Sequence, residues 1–313
     1  MPIHLNASPA PTRRRFLATA AAAAAFPVFD YRRAGAAVTS EVWALLSDTH
    51  IAADPGTVSR QGVNMAENLN RVVAEVVAEA KSLAGVMIDG DCAHDDGQPG
   101  DYGTLAQLLK PLADAGLPIH MTLGNHDDRG PFFEAFASRR PETEPVEGKH
   151  IGVIETPLAS WILLDSLRFV NKVEGEFGAA QLEWLAKILD QRREKPVILV
   201  GHHYPQVFRE DVIPGDEKIK ISGLVDTKAF EEVVAPRKQA KIYIYGHSHD
   251  WKTETGPEGL HHANLPPTAY VFKPERPNGW VRATVTPGGM KLELRALDPK
   301  HPEHGQVKEF AWR

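Results

Sequence analysis

Apolar residues recur along this chain with two different periods, and the two alternate. Short apolar runs at 42–47, 85–89, 117–123, 150–155, 160–166, 196–200 and 240–245 predict strands. In the segment 64–83, Leu69, Val72, Val73, Val76, Val77 and Ala80 return at three- and four-residue spacing, which predicts an amphipathic helix with its charges on the opposite face. Further helices are expected over 101–115, where Pro111 should bend or split the helix, over 178–193 and over 226–235. Strands and helices in alternation build sheets covered by helices, the α/β class. The pattern changes over 268–297, which has no helical period; 281–286 and 290–295 flank Pro287-Gly288-Gly289 as a hairpin. With no internal repeat and no linker-like stretch inside 40–297, one domain over 37–313 is expected.

Composition narrows the function classes. With one cysteine, Cys92, in 313 residues, neither an intramolecular disulfide nor a cysteine-built zinc site can form, and Cys92 itself reads as a small buried residue. The net charge of −6 argues against a nucleic-acid or anionic-membrane binder, which would concentrate Lys and Arg. Residues 1–36 stand apart: Arg13-Arg14-Arg15 precede an Ala-rich apolar stretch ending at Phe26, and Ala34-Gly35-Ala36 offers a small-x-small cleavage pattern. This segment resembles a bacterial twin-arginine signal peptide and implies the export machinery as a partner and a periplasmic or secreted product. It is too weakly apolar for a stable membrane span. Its removal would take away five arginines and one aspartate, leaving a mature chain of −10 that starts near Ala37.

Chemistry gathers where the strands end. The runs terminate in Asp48-Thr49-His50, Gly90-Asp91, Gly124-Asn125-His126-Asp127, Gly201-His202-His203 and Gly246-His247-Ser248-His249. Any one of these reads equally as a polar turn. Five in order do not, because ligands of open α/β sheets collect beyond the carboxyl ends of the strands. Carboxylate oxygen, imidazole nitrogen and one amide oxygen, with no thiolate, suit Mn, Fe, Zn or Co. Asp48, His50, Asp91, Asn125, His202, His247 and His249 supply seven donors, more than one divalent ion takes, and a carboxylate can bridge. Two divalent or mixed-valence ions roughly 3.5–4 Å apart would share a water, lower its pKa and hold both oxygens of an in-line displacement, which is phosphate ester hydrolysis.

The ordered motifs resemble the calcineurin-like metallophosphoesterase superfamily over residues 44–249. The resemblance implies a four-layer α/β/β/α sandwich of two mixed sheets flanked by helices. It also implies that Asp48, His50 and His249 hold one metal, that Asn125, His202 and His247 hold the other, and that Asp91 bridges. His126 would sit over the substrate to stabilise charge or protonate the leaving oxygen, its ring oriented by Asp127. In His202-His203-Tyr204-Pro205 either histidine can be the ligand; His202 is preferred because it follows Gly201 at the strand end, and His203 otherwise lines the site. Residues between Gly90 and Arg129, with Gln181-Leu182 and Trp184-Leu185, are similar to the class III cyclic-nucleotide and glycerophosphodiester phosphodiesterases. Arg129 would then contact a substrate phosphate, or else be a solvated loop arginine. His94 stands where purple acid phosphatases carry a tyrosine, which disfavours an iron-tyrosinate monoesterase. It is a candidate substrate group or an exposed loop histidine. The reading is therefore an exported dinuclear hydrolase of small phosphodiesters or phosphomonoesters. A purple-acid-like monoesterase and a non-catalytic metal-bound binding protein are the alternatives, and the acidic mature chain disfavours a nuclease.

Overall fold

The computed structural model describes residues 38–137, 145–206, 221–256 and 258–312, so the arginine-led segment lies outside the described residues. Two six-stranded mixed sheets form the centre. The first has the order β12(Val307–Ala311), β11(Gly289–Ala296), β10(Gly279–Thr286), β1(Glu41–Ser47), β2(Gly85–Asp89), β3(Ile119–Thr122). The second has the order β4(Gly152–Glu155), β5(Ser160–Leu163), β6(Val197–Val200), β7(Ala240–Tyr245), β9(His261–Asn264), β8(Lys252–Thr255). The chemistry-bearing strands run parallel within their sheets: β1 with β2 and β2 with β3, and β6 with β7.

Strand periodicity explains the layering. Successive side chains point to opposite faces, so Trp43 and Leu45 of β1 enter the core between the sheets with Trp161, Ile198, Ile242, Val281 and Leu292. Ala44 and Leu46 face outward, beneath α1(Met65–Ala78) and α2(Pro99–Asp114). On the other sheet Ile162, Leu199 and Tyr243 face outward beneath α4(Ala179–Asp190) and α5(Thr227–Val234). The result is four layers, α/β/β/α. Leu69, Val72 and Val76 on one stripe of α1 are buried, each contributing about 1.5–3 kcal/mol by leaving water. Asn64 caps that helix, its side chain accepting from the Glu67 amide at 2.9 Å.

Several elements differ from the expectation. Pro111 does not split α2, which runs unbroken to Asp114; the proline forfeits only its own N–H, which would have reached the Gln107 carbonyl, and the Ala115 amide still donates to the Pro111 carbonyl at 3.0 Å. The short α3(Arg129–Ala135) is capped by Asp128, which accepts from the Gly130 amide. β8 and β12 add edges, and β9 lies between β7 and β8. Among the described residues no helix is long and apolar enough to cross a membrane.

Candidate metal centre

The parallel strands of both sheets deliver their following residues to one place. Beyond β1 and β2 the pairing continues, the Asp48 amide donating to the Gly90 carbonyl at 3.2 Å and the His50 amide to the Asp91 carbonyl at 2.9 Å. The chain then turns sharply. Asp48, His50, Asp91, His247 and His249 all have φ between 45° and 66°; among the described non-glycine residues only Asn171 shares this left-handed conformation. Each costs about 1–2 kcal/mol, and such strain concentrates at functional sites. Two preceding glycines are needed for close approach: a Cβ on Gly90 would come within 2.5 Å of His202 Nδ1, and one on Gly246 within 2.5 Å of Asp48 Oδ2.

The side chains fall into three groups whose donor atoms lie within 4.8 Å of one another: Asp48, His50 and His249; Asp91, His202 and His247; and His50, Asp91 and His126. Asp91 stands in two of them. His249 Nε2 lies 3.2 Å from Asp48 Oδ1, His202 Nε2 lies 3.1 Å from Asp91 Oδ2, and His50 Nε2 faces His249 Nε2 at 3.1 Å. The Asn125 Oδ1 is buried with no hydrogen-bond partner. Buried polar atoms left unpaired cost about 1–3 kcal/mol each, so hard and borderline donors aimed at one another here fit a cation.

Hydrogen bonds to backbone carbonyls fix which nitrogen each imidazole presents. Because a carbonyl only accepts, the ring nitrogen it meets carries the proton and the other nitrogen of the neutral ring is bare. Nδ1 donates to Asp95 O from His126 (2.6 Å), to Asp89 O from His202 (3.0 Å) and to Tyr270 O from His249 (2.6 Å), and the His50 Nδ1 lies 3.4 Å from His94 O. His247 is turned the other way, its Nε2 donating to Ser222 O at 2.7 Å, which leaves Nδ1 for the centre. Burial holds His50 neutral, its pKa lowered to about 3, and burial together with the nearby His202 lowers His247 to about 4. Burial also opposes charge on His202, but the Asp91 and Asp48 carboxylates outweigh it and push His202 up to about 10.

The two candidates of the His-His pair separate on this basis. His202 joins Asp91 and His247. His203 bonds the Ser166 hydroxyl through Nδ1 at 2.7 Å, lies against His247 with ring centroids 4.5 Å apart, and keeps a buried Nε2 with no partner.

Asp127 departs from its expected role. Its carboxylate does not meet the His126 ring, which the Asp95 carbonyl orients instead. It points inward and accepts from the backbone amides of Cys92 (3.2 Å), Ala93 (3.0 Å) and Gly124 (2.9 Å) and from the Tyr102 hydroxyl (3.1 Å), tying the Asp91 loop to the Asn125 loop. Arg129 is committed to Asp165, through Nε at 2.8 Å and Nη2 at 2.7 Å, so neither a solvated guanidinium nor one free for substrate describes it. His94 lends its carbonyl to His50 while its own ring is partly exposed, with Nε2 3.9 Å from Asp95 Oδ2. The sequence reading had no place for Tyr270 and Phe272, which stack on His50 (5.1 Å) and His249 (4.3 Å); isolated aromatics in a proline-rich loop carry no periodic signal.

Carboxylates, an amide oxygen and carbonyl-held imidazoles at the strand ends of a four-layer sandwich define a metal-dependent phosphoester hydrolase. Residues 43–251 match the Calcineurin-like phosphoesterase family, and the chain belongs to it. It is 28% identical over 232 residues, 73% of this chain and 76% of the relative, to the 3',5'-cyclic adenosine monophosphate phosphodiesterase CpdA of Pseudomonas aeruginosa. It is 28% identical over 259 residues to a probable cyclic nucleotide phosphodiesterase of Synechococcus sp., covering 82% of this chain and 91% of that one. Among solved structures, a dimetal phosphatase from Danio rerio superposes with a TM-score of 0.63 at 15% identity, over 87% of this chain and 99% of that one. A purple acid phosphatase from yellow lupin gives 0.61 at 13% identity, over 87% and 54%. At such identities the likeness is one of fold.

Proposed function

We propose that this chain is a dinuclear phosphodiesterase acting on small phosphodiesters, cyclic nucleotides foremost, after export by the twin-arginine route. The observation that carries the reading is that Asp91 is shared by two donor groups, with His202 and His247 in one and with His50 and His126 in the other, while His50 also groups with Asp48 and His249. Asp48, His50 and His249 would hold one ion, Asn125, His202 and His247 the other, and Asp91 both. Ions bound there supply Lewis-acid polarisation of a phosphoryl oxygen and an acidified water. The protein supplies the rest. The carbonyl-bound imidazoles keep their bare nitrogens aimed inward, and the His126 amide donates to Asp91 Oδ1 at 2.9 Å, fixing that carboxylate. The His126 ring, with Nδ1–H held by the Asp95 carbonyl, has Nε2 left which, when protonated, can donate to a phosphoryl oxygen or give its proton to the leaving alkoxide.

The relatives named for cyclic nucleotides favour a diester over a monoester substrate. Export rests on the arginine cluster and the Ala34-Gly35-Ala36 pattern alone. Metal-loaded protein assayed on cyclic AMP, bis-p-nitrophenyl phosphate and p-nitrophenyl phosphate should turn over the two diesters faster than the monoester; a strict monoesterase would refute the reading. Arg13→Lys with Arg14→Lys should retain the enzyme inside the cell, and unaltered periplasmic activity would refute export.

A further inference from the structure

The loop from β9 to β10 leaves one aromatic ring where a soluble fold has reason to hide it. Phe272 is 59% exposed, yet it is not loose. One face stacks on the His249 ring, centroids 4.3 Å apart and 22° between planes, and Tyr270 meets it edge-on at 5.9 Å and 70°. Tyr270 in turn stacks on His50 at 5.1 Å and 27°. The loop is tied to the site's own backbone: the Thr268 amide donates to Ser47 O at 2.7 Å, the Ala269 amide to Asp48 O at 3.1 Å, and His249 Nδ1 to Tyr270 O at 2.6 Å. The outer face of Phe272 meets no ring or cation among the described residues. The other exposed phenylalanine, Phe169, at 56% exposure, differs in this respect, because the Arg168 guanidinium lies over its ring at 5.1 Å.

We propose that Phe272 sets substrate specificity by stacking a planar nucleobase while the phosphate is held at the neighbouring centre. The proposal rests on the phosphodiesterase reading and adds to it the part of the substrate that is not phosphate. Several observations point to a base. The free surface is a single flat ring, not an extended apolar patch of the kind an acyl chain needs. It stands one side chain away from a residue of the centre, so a group one sugar removed from a phosphate reaches it. It is already packed on the His249 and Tyr270 rings, so binding orders little that is new. Stacking is tolerant of base identity, since every base has a π-face, so purine and pyrimidine nucleotides would both gain.

Equilibrium binding of AMP and of inorganic phosphate to the metal-loaded full chain, by calorimetry, tests this without turnover. The wild type should bind AMP more tightly than phosphate, and Phe272→Ala should weaken AMP by roughly 5- to 150-fold, the range of base–aromatic stacking. Phosphate affinity and metal content should be unchanged, and Phe272→Trp should keep the preference for AMP. Equal affinity of the wild type for AMP and phosphate, or equal weakening of both in Phe272→Ala, would overturn the proposal. Failure of phosphate to bind the wild type would count against the centre as a phosphate site. In that event, AMP binding that falls on Phe272→Ala would still support the stacking role, and absence of AMP binding would overturn it as well.

Discussion

Replacing Asp127 should damage stability before it damages chemistry. Its two oxygens satisfy four buried donors: the amides of Cys92, Ala93 and Gly124 and the Tyr102 hydroxyl. Asp127→Ala leaves the three amides behind, while the Tyr102 hydroxyl can turn to the Asp128 carbonyl at 3.4 Å, so at about 1–3 kcal/mol for each unpaired buried donor the gross loss is roughly 3–9 kcal/mol. Water entering the vacated space recovers part of this, so a net loss of roughly 4 kcal/mol is expected, a large share of the ~5–15 kcal/mol that holds a typical domain together. Asp127→Asn keeps one acceptor oxygen and turns an NH2 towards two donors, so roughly half that loss should follow. Urea unfolding of the wild type and both variants, followed by far-ultraviolet circular dichroism, gives the order directly. Wild-type stability in Asp127→Ala, with lowered turnover alone, would refute this account and return Asp127 to a role in orienting His126.

The other expectations are independent of that one. His202→Ala should lose metal content and activity together, whereas His203→Ala should keep both metals and lose activity only modestly; metal analysis of the two variants separates them, and metal loss confined to His203→Ala would reverse the assignment. His126→Ala should retain its metal while the maximal rate falls roughly 10²- to 10⁴-fold, the range for general acid–base catalysis, with a smaller loss on nitrophenyl esters if the role is leaving-group protonation; full activity on both ester types would exclude the role. Burial lowers His262 to about 4; against an unfolded value near 6.5, its contribution is complete above pH 6.5 and is lost as pH falls to about 4, by about 3 kcal/mol. Denaturation across that window should show a smaller loss in His262→Gln than in the wild type, by about 3 kcal/mol, because the buried His50 and His247 contribute to both; parallel curves would contradict it.

The strands that carry the centre were legible because each is apolar on both faces, packed between a helical layer and the opposite sheet, and so reads as an unbroken run. Trp43 to Leu46 and Val197 to Val200 are examples. β9 was not legible: His262 and Asn264 are buried polar residues, so the strand lies inside the sheet without an apolar signature. β8, with the sequence Lys-Thr-Glu-Thr, is a largely exposed edge. Within the centre, residue type and strand-end position pointed to the donors, because metal chemistry restricts both. Orientation was another matter. The spacing that puts Asp127 beside His126 suggests a pair, but the turn sends the two side chains apart, and the carbonyls that orient the imidazoles are backbone atoms any residue could supply. The packing of Tyr270 and Phe272 on the histidines is likewise a product of tertiary structure.

The central claim is that Asp91 joins two ion sites, and metal stoichiometry tests it most directly. Elemental analysis of the purified chain alongside Asp91→Asn should give two ions per wild-type chain, with loss of both occupancy and phosphodiester turnover in the variant. A single ion in the wild type, or two ions and full turnover in Asp91→Asn, would contradict it.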